Sequence, residues 1–260
     1  MHNLFSVDNR IAIVTGGHTG LGKIMAEALL ESGAHVAVCA RRPEKWSESL
    51  KDLESTAHRY DRHLLNFKCD VTNPPQVTEM VNEVINELGH VDILVNNAGA
   101  AWVAPADQMT LQDWKKVIDT NLTGSFILSQ EVGKHMIARE EGKIINITSI
   151  TALRGTQPEI LDALAYSTAK AGVIGFTRDL ATKWARYRIN VNAIAAGWFR
   201  THLTESFLMN RRVEITARTP MHRLGQPDDL KGVVVFLSST ASQYITGQVI
   251  VVDGGISASF

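Results

Sequence analysis

Cysteine is almost missing from this chain: Cys39 and Cys69 are the only two in 260 residues. They form no metal-binding spacing, and each closes a segment that reads as a strand, so both read as small, reduced core residues. Nine histidines show no ligand pattern such as His-Glu-x-x-His, and no metal is expected. An excess of either charge is lacking too. With 26 Lys and Arg against 27 Asp and Glu, no segment carries the basic clustering of a nucleic-acid or membrane-surface binder. No apolar stretch approaches the length that crosses a bilayer, and Met1 to Asp8 has no apolar core of a secretion signal. The expectation is a soluble, cytoplasmic protein. Asn121-Leu122-Thr123 and Asn146-Ile147-Thr148 match the glycosylation sequon, but without a secretion signal they read as chance matches. Internal repeats, low-complexity tracts and Pro/Gly-rich linkers are also absent, so one domain is expected over 1–260.

What is present is a 45% hydrophobic chain, enough for a substantial core. Apolar runs of strand length fall near 11–15, 35–40, 64–69, 91–95, 143–148, 189–194 and 247–252. Helical patterns fill the intervals near 20–32, 43–58, 74–88, 111–138, 164–186 and 227–238. This alternation predicts an α/β fold, a doubly wound parallel sheet of about seven strands with helices on both faces. The interval 195–226 is the least regular. It carries Trp198, Phe199, Leu203, Phe207, Leu208 and Met209, and reads either as part of the core or as a lid over a cleft.

Two motifs carry chemistry. After the first apolar run comes Gly16-Gly17-His18-Thr19-Gly20-Leu21-Gly22 and then a helical stretch, an order that aims backbone N–H groups and a helix dipole at a phosphate. Gly17 to Lys23 also fits the Gly-x4-Gly-Lys of nucleotide hydrolases, but Ile24 stands where a Mg²⁺-binding Ser or Thr is needed. Further on, Tyr166 and Lys170 lie four residues apart, with Ser149 upstream at a strand end. On a helix that spacing stacks an ammonium beside a phenol and lowers the phenol's pKa, which makes a proton donor for a carbonyl.

Taken together, the chain resembles the classical short-chain dehydrogenase/reductase family over essentially its whole length. Thr15-Gly16-x-x-x-Gly20-x-Gly22 matches the family's cofactor turn, and Asn96-Asn97-Ala98-Gly99 matches the segment after its fourth strand. Ser149, Tyr166 and Lys170 complete a catalytic tetrad with Asn121, and Val252-Asp253-Gly254-Gly255 matches the C-terminal signature. The resemblance implies a Rossmann-type fold and hydride transfer between a nicotinamide cofactor and a ketone or secondary alcohol. It implies that Tyr166 is the acid/base, Ser149 holds the substrate oxygen, Lys170 also meets the nicotinamide ribose, and Asn121 anchors a proton-relay water. It further implies cofactor contacts at Gly16, His18, Thr19, Gly20, Leu21, Gly22, Asp70, Val71, Asn97, Ala98, Gly99, Gly197, Phe199 and Thr201, and a homotetramer or homodimer.

Cofactor choice is expected at the end of the second strand. Ala40 stands where an acidic residue would hold a ribose 2′-OH, and Arg41 and Arg42 follow, which favours NADP(H) over NAD(H). The chain departs from the family in three places. Ala196 replaces the usual proline and predicts a looser loop, Thr156 to Asp162 read as an insertion, and Thr19 stands where many NADP-preferring relatives have a basic residue. Trp102, Ile150, Leu153, Trp198, Phe199 and Leu203 are expected to wall the substrate, with Arg154 and His202 meeting a polar or anionic tail. Such a mixture suits 3-oxoacyl thioesters, sugar acids such as gluconate, or generic ketones. The competing reading is a catalytically silent nucleotide-sensing relative.

Overall fold

The computed structural model describes residues 4–202 and 204–259. Seven strands form one sheet: β1 Ile11–Thr15, β2 His35–Ala40, β3 Leu64–Lys68, β4 Ile93–Asn96, β5 Gly142–Ser149, β6 Ile189–Ala196 and β7 Val249–Val252. Their order is β3-β2-β1-β4-β5-β6-β7, and every neighbouring pair is parallel. The apolar runs make this possible, because a strand covered by helices on both faces must be buried on both. β1 and β6 are buried at every residue, whereas the edge strand β3 is only partly so.

The helices are α1 Gly20–Glu31, α2 Ser47–Arg59, α3 Pro74–Leu88, α4 Leu111–Ile118, α5 Gly124–Arg139, α6 Pro158–Leu161, α7 Leu164–Trp184, α8 Glu205–Arg218 and α9 Pro227–Ser238. Alternate strand residues feed two cores. On one face Val14, Val38 and Val95 pack with Met25 and Leu29 of α1 and Val234 of α9. On the other, Ile13, Leu94 and Val191 pack with Val81 of α3 and Leu128 and Val132 of α5. α3 shows the logic in its sequence: Val77, Met80, Val81 and Val84 recur at helical spacing and are buried, with Pro74 at its first position and the Asn73 side chain capping Gln76 N.

The strand order reverses between β1 and β4, so the chain leaves their carboxyl ends in opposite directions and opens a crevice there. Gly16, Asn97 and Ser149 all follow or end strands on that side.

Three intervals differ from expectation. The helix expected over 111–138 is interrupted by a π-turn at Asp119–Thr123, and 195–226 contains α8. Ala196 lies within β6, which continues through it and pairs it with Ser149 on one side and Val252 on the other. Without a proline ring the ladder simply runs two residues further than the apolar run predicted.

Candidate active site

The crevice begins at the turn between β1 and α1. Gly16 and Gly20 adopt φ of +63° and +57°, conformations that glycine reaches at little cost. Gly22 is required for space, since a Cβ there would lie 2.2 Å from the Gly16 carbonyl and 2.4 Å from Asn97 Nδ2. The N-terminus of α1 has no side-chain cap and no acidic residue in its first turn, so its N–H groups stay available to an anion. A dinucleotide diphosphate fits this cradle.

Thr15 ties the turn to the neighbouring strand. Its Oγ1 accepts from Asn97 N at 3.0 Å and Ala98 N at 2.9 Å, while Asn97 Nδ2 donates to Thr15 O at 2.9 Å. Asp70 Oδ1 accepts from Thr72 N and Oγ1, which closes the turn after β3, and Val71 packs in the core against Gly124. His18 turns inward: its ring is fully buried with Nε2 2.7 Å from Asn66 Oδ1, and burial lowers its pKa. Any part of His18 in the turn therefore falls to its backbone. Thr19, Leu21 and Gly197 are half-buried, Arg41 and Arg42 lie exposed beyond β2, and Gly99 is exposed.

Lys170 sits one turn after Tyr166 on α7, with its Nζ 5.7 Å from the centre of the Tyr166 ring. The ammonium donates to Ile147 O at 2.8 Å, and Thr148 Oγ1 donates back to Lys170 O at 2.8 Å, so α7 is pinned to β5 on both sides. Burial lowers the Lys170 pKa to about 8. The same burial raises the Tyr166 phenol above its ordinary value, against a smaller downward pull from its hydrogen bond with Ser149. The sequence predicted a lowered phenol. Here the upward cause is desolvation and the downward one is Ser149, while the Lys170 ammonium is directed at the Ile147 carbonyl.

Ser149 ends β5 in extended conformation, and its Oγ accepts from Thr151 N at 3.2 Å and Thr151 Oγ1 at 3.1 Å. Asn121 occupies the π-turn, and its side chain takes up a carbonyl of the preceding helical turn. Its Nδ2 donates to Ala100 O at 2.7 Å and Val117 O at 2.8 Å. Its buried Oδ1 has no partner among the described residues, and a Cβ on Gly99 would meet it at 2.8 Å. An acceptor left open in this way is suited to a bound water.

A cleft of about 500 Å³ is lined by Ile150 and Thr151, the two residues that follow Ser149, and by Trp198, Gln157 and Ile160. Thus the inserted segment becomes a cleft wall through α6. Trp198 stacks on Phe207 at 5.1 Å, and Arg211 Nε donates to Glu159 O, so the segment around α8 is fastened over this side. The remaining residues expected at the substrate have varied surroundings. Phe199 is buried in the core against Gly225, Trp102 and Leu153 are exposed, and Leu203 falls outside the described residues. Arg154 is turned to the C-terminal segment, donating to Ile256 O and Ser259 O. His202 meets Trp46 edge to face at 5.0 Å, and Thr201 packs within 3.2 Å of a Cβ built on Gly20, which carries the α8 segment across the α1 turn.

Thr15 was marked in the sequence only as the first residue of the glycine turn and Thr148 only as part of a sequon, and neither mark gives its role. Each acts through a partner brought near by strand register, which no local spacing shows.

Comparison with known proteins agrees with this geometry. The family model described as enoyl-(acyl carrier protein) reductase matches residues 16–257. A 2-dehydro-3-deoxy-D-gluconate 5-dehydrogenase of Escherichia coli K12 is 37% identical over 255 residues, covering 96% of each chain. A 3-oxoacyl-[acyl-carrier-protein] reductase of Thermotoga maritima is 34% identical over 250 residues, covering 96% of this chain and 98% of its own. The crystal structure of a gluconate 5-dehydrogenase from Burkholderia cenocepacia, in complex with NADP and tartrate, superposes with a TM-score of 0.90 at 34% identity over 99% of both chains. The chain belongs to the classical short-chain dehydrogenase/reductase family and is a nicotinamide-dependent oxidoreductase acting on CH–OH groups.

Proposed function

We propose that the chain interconverts a secondary alcohol and a ketone with NADP(H) as preferred cofactor, and that Tyr166 is the acid/base. The observation that carries this reading is the Tyr166–Lys170 pair one turn apart on α7, with Lys170 Nζ 5.7 Å from the Tyr166 ring and bonded to Ile147 O of β5, the strand that Ser149 ends. A bound nicotinamide supplies or accepts the hydride. Ser149 orients the substrate oxygen, and Tyr166, kept protonated by burial, gives that oxygen its proton in the reducing direction. Lys170 lends its charge to the phenolate as it forms and meets the nicotinamide ribose. Asn121 Oδ1, buried and unpaired, holds the water that links Lys170 to solvent. The segment 195–226 serves as the lid, in a single domain spanning 1–260. The substrates named for the relatives, a sugar acid and a 3-oxoacyl thioester, mark the range to test.

The NADP preference is supported by the exposed Arg41 and Arg42 after a non-acidic Ala40, and by the NADP bound to the Burkholderia protein. An exposed guanidinium on a 2′-phosphate is worth roughly tenfold in affinity. Steady-state rates with both cofactors, on a panel of keto acids, 3-oxo esters and simple ketones, test the reading. Arg41→Ala should shrink the NADP(H)/NAD(H) ratio of kcat/KM by about that factor, and an unmoved ratio refutes the role of Arg41.

The reading includes a cytoplasmic homotetramer or homodimer. Leu164 of α7 and Phe126 of α5 lie 45% and 46% exposed, and Phe126 meets Phe176 of α7 edge to face at 6.5 Å. An apolar face shared by two long helices is suited to isologous packing. Sedimentation at micromolar concentration should show the oligomer, and a monomer alone contradicts it.

A further inference from the structure

We infer that Arg218 of α8 is the substrate-selecting group of the cleft, taking the carboxylate of a hydroxy or keto acid whose reacting carbon lies at Ser149. The inference rests on the oxidoreductase reading and narrows it to anionic substrates. Two guanidiniums line the cleft, those of Arg154 and Arg218, and among its described lining residues none is acidic. The field inside therefore favours an anion.

The two arginines are not equally available. Arg154 is committed: it donates to the carbonyls of Ile256 and Ser259, and its charge also acts on Asp253, which holds Gly255 N and Ser257 N. Giving up those bonds would unfasten the C-terminal segment. Among the described residues Arg218 has one ion-pair partner, Glu214, at 2.8 Å one turn earlier on the same helix, and the two side chains are 52% and 44% exposed. A solvent-screened pair within one helix contributes little, so a ligand carboxylate competes for the guanidinium at small cost. The planar fork of Arg218 offers two parallel N–H donors to such a group.

The shape of the cleft agrees. Thr151, bonded to Ser149 Oγ, lines the cleft together with Gln157, Thr156 and Arg218, and a volume of about 500 Å³ accommodates a six-carbon acid. Because Arg218 rides on α8, an acid held at both ends links the segment over the cleft to the reacting carbon. A thioester substrate would place no carboxylate at this position.

The test is titration calorimetry of the NADP(H)-loaded protein with D-gluconate and with D-gluconamide, which differ only in the charge of the carboxyl end. The wild type should bind the acid about 10- to 100-fold more tightly, and the difference should shrink as salt rises. Arg218→Gln should remove the preference, and Arg218→Lys should restore part of it, while thermal melting of both variants matches wild type because the side chain is exposed. Equal binding of acid and amide by wild type, or an undiminished preference in Arg218→Gln, overturns the inference. Turnover of uncharged ketones or 3-oxoacyl thioesters without any carboxylate preference would remove it and leave the oxidoreductase reading standing. Arg218-dependent acid binding without turnover of any ketone or alcohol would do the reverse.

Discussion

Gly22 has no room for even a methyl group, because its missing Cβ would overlap both the Gly16 carbonyl and the Asn97 amide. Asn97 Nδ2 at that spot donates to Thr15 O and Gly16 O and so holds the ends of β1 and β4 together. Gly22→Ala should therefore destabilise the fold by about 1–3 kcal/mol, and it should weaken NADPH binding at least tenfold by spreading the phosphate cradle. Thermal unfolding and fluorescence titration read the two effects, and wild-type values in both would show that Asn97 yields freely. The glycines and the Tyr166–Lys170 pair were legible in the sequence because each demands a residue type at a fixed local spacing. Thr15 was legible as part of the turn but its tie to Asn97 was not, since those contacts span 82 positions and exist only once β1 and β4 pair. Nor was the inward turn of His18 legible, which depends on Asn66 of β3 standing opposite. Arg154 was expected to face the substrate; it does line the cleft, and only the C-terminal carbonyls reveal that its guanidinium is already occupied.

The strands were readable almost to the residue because a fully covered parallel strand must be apolar along its length, and such runs stand out. β6 ran longer than predicted since Ala196 is small and apolar and has an N–H, so nothing stops the pairing. Helix α8 was hidden for the opposite reason. It buries Leu208 and Ile215 but leaves Met209 at 78% and Val213 at 83% exposure, which blurs the amphipathic period. The π-turn between α4 and α5 leaves the apolar pattern nearly intact, and its main sign was a polar Asn121 inside a helical stretch. Elements held by tertiary contacts, as α8 is by the Trp198–Phe207 stack and the Arg211–Glu159 bond, are the ones that single-sequence periodicity reads poorly.

Over the molecule as a whole, two lysines sit in poorly hydrated places. Burial lowers both Lys143 and Lys170 to about 8, from an ordinary value of 10.5. The unfolded chain therefore binds more protons than the folded one between about pH 8 and 10.5, and stability should rise with pH across that window. Tyr166, whose pKa is raised, acts in the other direction only above its ordinary titration range. Lys143 lies at the opening residues of β5, bonded to Asn190 Oδ1 and Ser242 Oγ and far along the strand from Ser149. Urea unfolding at pH 8 and pH 10 should thus show a smaller pH gain in Lys143→Met than in wild type, and identical gains would contradict the burial argument. The central claim concerns the proton that must accompany the hydride. Tyr166→Phe removes one phenolic oxygen from a half-buried ring and leaves the phosphate cradle untouched. Measured side by side, its NADPH Kd should stay within about twofold of wild type while kcat falls by about a hundredfold or more. Near-wild-type kcat in Tyr166→Phe would contradict the account.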